Sequence, residues 1–425
     1  MFNFISRNRG FTRFWLAQLI SQFGDRINQM ALVGLVATKM PGYSPVELAK
    51  LLSFTIIPVF IVGPIAGVYV DRWDRRTTLF VCDFLRGVIV LCIALYLIPM
   101  KTMLWIYMAV FAVFCLSRFY VPAKMSFIPD IVKDSDLHIA NSLVSVTGMI
   151  AFVLGALFGG LIVEWYGPRG GFIWDANTFF ISGTLVFSIS RLRLMRLDHR
   201  NVISTGKEMF RAHKTVLGEI KEGVQYILEH KEILFIIYVM TILFMAAGSI
   251  YVVIIVFVQE TFKTVTKDLG YLAVALGIGL FLGSMAYARW GKRFARFQSI
   301  FFCLLLGGFM LTIFAFVVAT SQNRAVGMVL AAILGFVVGP IVIASNTIVH
   351  YVCSEQMRGK VFASLEFVMH LAFLLAMVTS SFLSRHVARM WILIGIGIIF
   401  ICVGVIGLLR YKNKDLAGFD RTPVF

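Results

Sequence analysis

Apolar residues in this chain come in long blocks, separated by short polar stretches that are mostly basic. A helix needs about 20 mostly apolar residues to cross the hydrocarbon core of a bilayer. Blocks of that size fall at 11–38, 46–70, 77–99, 102–122, 139–165, 171–190, 233–258, 269–288, 297–319, 325–351, 361–383 and 388–409. The pattern predicts an all-α membrane protein with twelve spanning helices, and an even number puts both termini on one side. The one long polar stretch, 191–232, has six blocks before it and six after it. The expected organisation is a six-helix bundle over 1–190, a linker over 191–232, a second, pseudo-symmetric six-helix bundle over 233–410 and a tail over 411–425. Inside the linker, Val216, Ile220, Val224 and Ile227 recur at helical spacing beside Glu219, Lys221, Glu222 and Glu229. That predicts a surface helix along the membrane boundary; a plain connector and a regulatory element both fit it.

Composition narrows the class. The 425 residues are 59% hydrophobic and 14% charged, against about 45–50% and about 25% in ordinary globular chains. Disorder is excluded. The 6 Cys are dispersed without a C-x-x-C pair, which argues against a disulfide scaffold, a metal site or a redox site. The net charge of +17 could mark a nucleic-acid surface or cytoplasmic loops. The basic residues decide: Arg7, Arg9, Arg13, Arg72, Arg75, Arg76, Lys124, Lys133, the run from Arg191 to Lys231, Arg289, Lys292, Arg293, Arg296, Arg358, Lys360 and Arg410 all fall on one side of the predicted spans. The positive-inside rule makes that side cytoplasmic, with both termini inside and no nucleic-acid partner. The first apolar block starts behind three arginines and lacks a small-residue cleavage site, so it reads as the first helix of the mature protein.

The two halves share a local signature. Asp71-Arg72-Trp73-Asp74-Arg75-Arg76 follows the second span, and Ala288-Arg289-Trp290-Gly291-Lys292-Arg293 follows the eighth. An Arg-Trp recurrence at matching places suggests an internal six-helix repeat, an organisation common in secondary transporters. Gly67-Val-Tyr-Val-Asp71-Arg72-Trp73-Asp74-Arg75-Arg76 resembles the G-x-x-x-D-R-x-G-R-R loop of the major facilitator superfamily. The departure is Asp74 in place of glycine. Gln22-Phe23-Gly24-Asp25, Pro122-Ala123-Lys124, Pro129-Asp130-Ile131-Val132, Ala140-Asn141-Ser142-Leu143 and Arg358-Gly359-Lys360-Val361-Phe362 occur in order. Together they are similar to the branch holding macrolide exporters, the enterobactin exporter and bacterial lysophospholipid transporters. The resemblance implies the major facilitator fold, alternating access and residence in a bacterial inner membrane. It also implies a gating motif: Gly67 permitting close helix packing, Asp71 accepting hydrogen bonds from a helix N-terminus, and Arg72, Arg75 and Arg76 latching the cytoplasmic side. The exporter motif G-x-x-x-G-P-x-x-G-G of the fifth helix is represented by Gly155, Gly159 and Gly160, with Ala156 in place of proline. That departure fits the lysophospholipid branch better than a drug/proton antiporter. The basic residue which that branch has in the seventh helix is absent from Gly248-Ser249-Ile250-Tyr251.

Ionisable residues inside spans are costly and are therefore the leading functional candidates. In the first helix, Gln18, Gln22, Asp25, Arg26 and Gln29 follow helical spacing and predict one polar stripe. Asp25 is about 18 Å along the helix from Arg13, near mid-bilayer, and is the first candidate for ion coupling. Asp83 and Arg86, three apart, are expected to pair and brace the gating motif. Lys124 could receive a phosphate or carboxylate, or simply obey the positive-inside rule. Glu366 and His370, four apart, share a helix face and suit a proton relay or a gate contact. Asn346 is a polar candidate in the tenth helix. Asp175 is expected near the outer face as a gate or packing residue.

The expectation is a secondary transporter for an amphipathic or lipid-like solute, lysophospholipid first, coupled to a proton or sodium gradient. It would be a monomer among membrane lipids, without cofactor or metal. The alternative is a multidrug-, macrolide- or siderophore-type efflux pump, and a more distant one a non-transporting receptor or scaffold. No phosphate loop, nucleophile triad or metal spacing points to an enzyme.

Overall fold

The computed structural model describes residues 2–40, 45–70, 72–100, 102–189, 218, 231–291, 296–352 and 355–411, and no strand occurs among them. The helices are α1 (Phe2–Arg7), α2 (Arg9–Lys39), α3 (Pro45–Ile61), α4 (Gly63–Val70), α5 (Arg75–Cys92), α6 (Leu104–Ile131), α7 (Leu137–Phe187), α8 (Lys231–Phe262), α9 (Lys267–Trp290), α10 (Arg296–Ser321), α11 (Arg324–Val352), α12 (Glu355–Leu383) and α13 (Arg389–Tyr411). By length and composition, nine elements among the described residues can cross a membrane.

Three places explain how nine relates to the expected twelve. One element, Asp134–Phe187, is 54 residues long and supplies two spans, because α7 turns back at Gly167. That residue has φ +69°, the left-handed region open to glycine, and Pro168 follows it. Helix α2 has the length, at 31 residues, but its polar residues lower its hydropathy. The 46–70 block is broken at Val62, between Pro58 and Pro64, into pieces of 17 and 8 residues. Proline removes a backbone donor and crowds the preceding turn. A π-helical turn, Ile93–Leu97, extends α5.

The chain divides into two compact units. The first comprises Met1–Gly42, Lys50–Gly218 and Val265–Gly270, and the second Tyr43–Ala49, Glu219–Thr264 and Tyr271–Phe425. The six residues Val265–Gly270 thus group with the first unit, although the chain on both sides of them groups with the second. The expected linker helix lies outside the described residues, as does the tail beyond Tyr411.

In the first unit both arms of α7 pack on the same stretch of α2. A Cβ at Gly155 would lie 2.8 Å from the Arg26 Cβ, and one at Gly159 would lie 2.9 Å from the Ile27 Cα. From the second arm, the Asp175 carboxyl lies 2.7 Å from where a Cβ of Gly24 would be. Lipid tails are as apolar as leucine, so membrane helices associate through such small-residue contacts. A core of Phe11, Phe14, Leu79, Tyr120, Phe127 and Leu143 fills one end of this unit. The second unit has its own core, which includes Ile237, Phe301, Leu304, Ile341 and Leu365.

Candidate functional site

The polar residues of α2 span an arc of about 100°, with Asp25 at one edge and Arg26 at the other. Gln18, Ser21 and Asn28 are buried and share the Asp25 side. Gln22 and Arg26 face the first arm of α7. The Arg26 guanidinium donates to Gln29 Oε1 at 2.7 Å and lies 4.3 Å from the Phe152 ring centroid. Gln22 Oε1 lies 2.9 Å from a Cβ position on Gly148.

The Asp25 side carries a connected ionic network. Arg86, from α5, bonds to Asp83 one turn earlier and reaches Asp25 at 3.8 Å. Its guanidinium lies between two rings, 4.3 Å from the Tyr120 centroid and 4.4 Å from that of Phe179. Cation–π contact strengthens when the cation is out of water. Arg86 also donates to Ser117 Oγ at 3.4 Å and to the Cys82 carbonyl at 3.4 Å. The other Asp83 oxygen accepts from Ser182 at 2.7 Å. Gln18 donates to the Tyr120 hydroxyl, and its own carbonyl oxygen has no partner. Within this network Arg86 is 2% exposed while the Asp25 side chain is 45% exposed.

Asp83 and Arg86 therefore pair as expected, but their described contacts are with Asp25, Ser182, Ser117 and two rings rather than with the loop motif. Spacing along α5 showed the pair; only tertiary packing shows the third partner. Asp175 is not near the outer face. It is fully buried, with Asn28 Nδ2 2.5 Å from its Oδ2, level with Asp25. The turn at Gly167 explains the displacement: eight residues of helix carry Asp175 about 12 Å inward. Asn28 and Ser182 escaped the sequence reading. Asn28 is three residues from Asp25, a spacing that could have revealed it; Ser182 had no such signal.

The loop motif is held by its arginines. Arg75 pairs with Asp130 at 2.7 Å and donates to the Ser126 carbonyl at 3.2 Å. Arg76 donates to the carbonyls of Val186 and Phe187 and lies over the Phe187 ring. Asp74 caps α5, accepting from the Thr77 backbone N–H at 2.6 Å. The departure from glycine thus supplies a helix start. Arg72 is exposed. A Cβ at Gly67 would meet no described atom within 4 Å, so the expected close packing is not seen there. Asp71 lies outside the described residues, as does the side chain of Asn346.

In the second unit, His370 Nδ1 bonds to the backbone carbonyl of Glu366 at 2.8 Å, so that contact does not involve the Glu366 carboxylate. Glu366 itself is exposed. Gly248 packs against the Phe373 backbone, and Tyr251 meets the Phe373 ring at 5.7 Å. Among the described residues no group of three or more His, Cys, Asp or Glu could hold a metal.

A further polar fixture was not anticipated. Glu164 Oε2 accepts from three successive backbone N–H groups: Val265 at 3.0 Å, Thr266 at 2.8 Å and Lys267 at 3.2 Å. Thr266 Oγ1 donates to the Gly160 carbonyl at 2.8 Å. These bonds fasten the six-residue segment Val265–Gly270 to α7 within the first unit.

Long apolar helices, small-residue packing and a buried charge network define a multi-pass membrane transporter of the major facilitator type. The chain belongs to the transmembrane secretion effector family, whose model matches residues 5–415. It is 25% identical to YfiS, an MFS-type transporter of Bacillus subtilis (strain 168), over 52% of this chain and about half, 49%, of YfiS. Macrolide efflux protein A of Streptococcus pyogenes is 20% identical over 93% of this chain and 94% of its own length. In fold, the chain is similar to a bacterial homologue of the iron transporter ferroportin, with TM-score 0.72, 13% identity, and coverage of 96% and 99% of the two chains. The expected major facilitator fold is thereby shown, and the family points to a transporter rather than an enzyme.

Proposed function

We propose that this protein exports an amphipathic solute across a bacterial inner membrane by alternating access, driven by a proton or sodium gradient, with both termini cytoplasmic. The observation that carries the reading is the contrast between Asp25 and Arg86: a 45% exposed carboxylate stands 3.8 Å from a guanidinium that is 2% exposed. An ion or proton that reaches Asp25 from its exposed side weakens its hold on Arg86. Arg86 is then left to Asp83, and the event is passed to α5. Ionisable groups buried at membrane depth are kept where such coupling is needed. Macrolide efflux in a relative of nearly full length supports export of a large amphipathic molecule, with the protein working as a monomer among lipids.

A second reading is movement of lysophospholipid. It is favoured by Lys124 as a cation for a phosphate, and by Ala156 where drug exporters carry proline.

The test is transport in proteoliposomes of a labelled macrolide and a labelled lysophospholipid, each under a proton gradient, a sodium gradient and neither. Movement of one solute under one gradient assigns substrate and ion together; movement of neither under any gradient refutes both readings. Asp25→Asn is expected to abolish gradient-driven movement while the protein stays folded, and unchanged coupling would make Asp25 structural.

A further inference from the structure

Asp175 is the buried acid that the exposed Asp25 does not account for. It is 0% exposed, and its carboxyl is closed in by the α2 backbone at Gly24, where even a Cβ would lie 2.7 Å from Oδ1. Its bonding inventory is short. Asn28 Nδ2 stands 2.5 Å from Oδ2. The Thr178 hydroxyl is 3.5 Å from Oδ1 but 2.7 Å from the backbone carbonyl of Asp175, so its single proton goes to the carbonyl. No described cation lies within ion-pair distance. The charged groups that act on it are Asp25 from α2 and Arg86 from α5, and Arg86 is already held by Asp83 and Asp25. Asp83 and Asp25 thus share the Arg86 guanidinium, whereas the described partners of the Asp175 carboxyl, Asn28 and Thr178, are neutral.

A buried ionised carboxylate needs a paired cation or several donors, and without them the group takes up a proton instead. The Asn28 amide can present either its N–H or its oxygen, since the two ends are nearly the same shape. A carboxyl O–H donating to Asn28 Oδ1 satisfies both groups.

We propose that Asp175 is a proton-binding site, separate from the Asp25–Arg86 contact. The site lies one helix face away from Asp25 and does not require Asp25 to be the coupling residue. Its ligand is the proton itself, bound at Oδ2 and shared with Asn28. It removes one negative charge from the network, leaving Arg86 to balance Asp83 and Asp25.

The test is infrared spectroscopy of the full-length protein in lipid at neutral pH, reading the carbonyl stretch of a protonated carboxyl group. Wild type is expected to show the band and Asp175→Asn to lack it. Asp25→Asn should keep it. Asparagine closely matches a neutral aspartic acid in shape, so Asp175→Asn should also keep the wild-type melting temperature. Asn28→Ala gives a second reading that leaves the acid in place: the band should stay and move to higher wavenumber as its hydrogen bond is lost. A band that survives Asp175→Asn, does not move in Asn28→Ala, or disappears from wild type in sodium overturns the proposal. If the band behaves as expected and Asp25→Asn still couples transport, the proton site stands and the role given to Asp25 falls.

Discussion

Replacing Glu164 tests whether a carboxylate fastens the start of α9. One oxygen accepts three backbone N–H groups at 2.8–3.2 Å, those of Thr266 and Lys267 belonging to a helix start whose N–H groups lack intrahelical partners. A hydrogen bond to a charged group contributes about 1.5–3 kcal/mol and a neutral one about 0.5–1.5 kcal/mol. Negative charge at a helix N-terminus adds about 0.3–1 kcal/mol. Glu164 is half-buried, so water replaces part of what is lost. Glu164→Gln keeps a carbonyl oxygen and loses the charge, at about 1 kcal/mol. Glu164→Ala loses the acceptor as well, at about 2 kcal/mol, near the upper end for a lost cap. At 1.4 kcal/mol for each factor of ten, amide exchange at Val265, Thr266 and Lys267 should quicken about fivefold in the glutamine variant and about thirtyfold in the alanine variant. Hydrogen–deuterium exchange read by mass spectrometry measures this, with α13 peptides as the internal control. Unchanged exchange in Glu164→Ala would refute the fastening. Equal acceleration in both variants would refute the role of charge.

Two further outcomes follow from the first unit. Arg86→Ala strands Asp83 in the interior, and breaking a buried pair from one side costs about 3–5 kcal/mol; thermal unfolding in detergent should show a large fall, which Asp83→Asn in the same chain should partly reverse. Asp74→Ala removes the α5 cap at about 1 kcal/mol, whereas Asp74→Gly should cost only a few tenths; the same melting assay checks both, and an Asp74→Ala variant as stable as wild type would mean that the cap bond to Thr77 is not what Asp74 supplies.

Much of the fold could be read from block lengths alone, because a bilayer demands a fixed length of apolar helix. The breaks were harder to see. Pro58, Pro64 and the Gly167-Pro168 pair are visible in the sequence. Yet only the structure shows that the first two split one apolar block, while the third turns one helical element back on itself. At the candidate site, Asp25 stood out as a charge in an apolar helix. Its partner Arg86 was visible too, but was placed with the loop, since sequence spacing reports neighbours on one helix and says nothing of the helix across from it. The same limit put Asp175 at the wrong depth. The stripe on α2 was legible, but not its neighbours: Arg26 at one edge meets Phe152 of α7 and Asp25 at the other meets Arg86 of α5.

The corner at Gly167 also bears on how the protein is made. Its two arms are joined by one non-helical residue, with no soluble loop to stay behind on the far side of the membrane. A single arm inserted first would leave the corner and the opening turn of the next arm in an unfavourable setting, their backbone groups unsatisfied in lipid. The geometry suits entry of the two arms as one hairpin, with Arg169 near its tip.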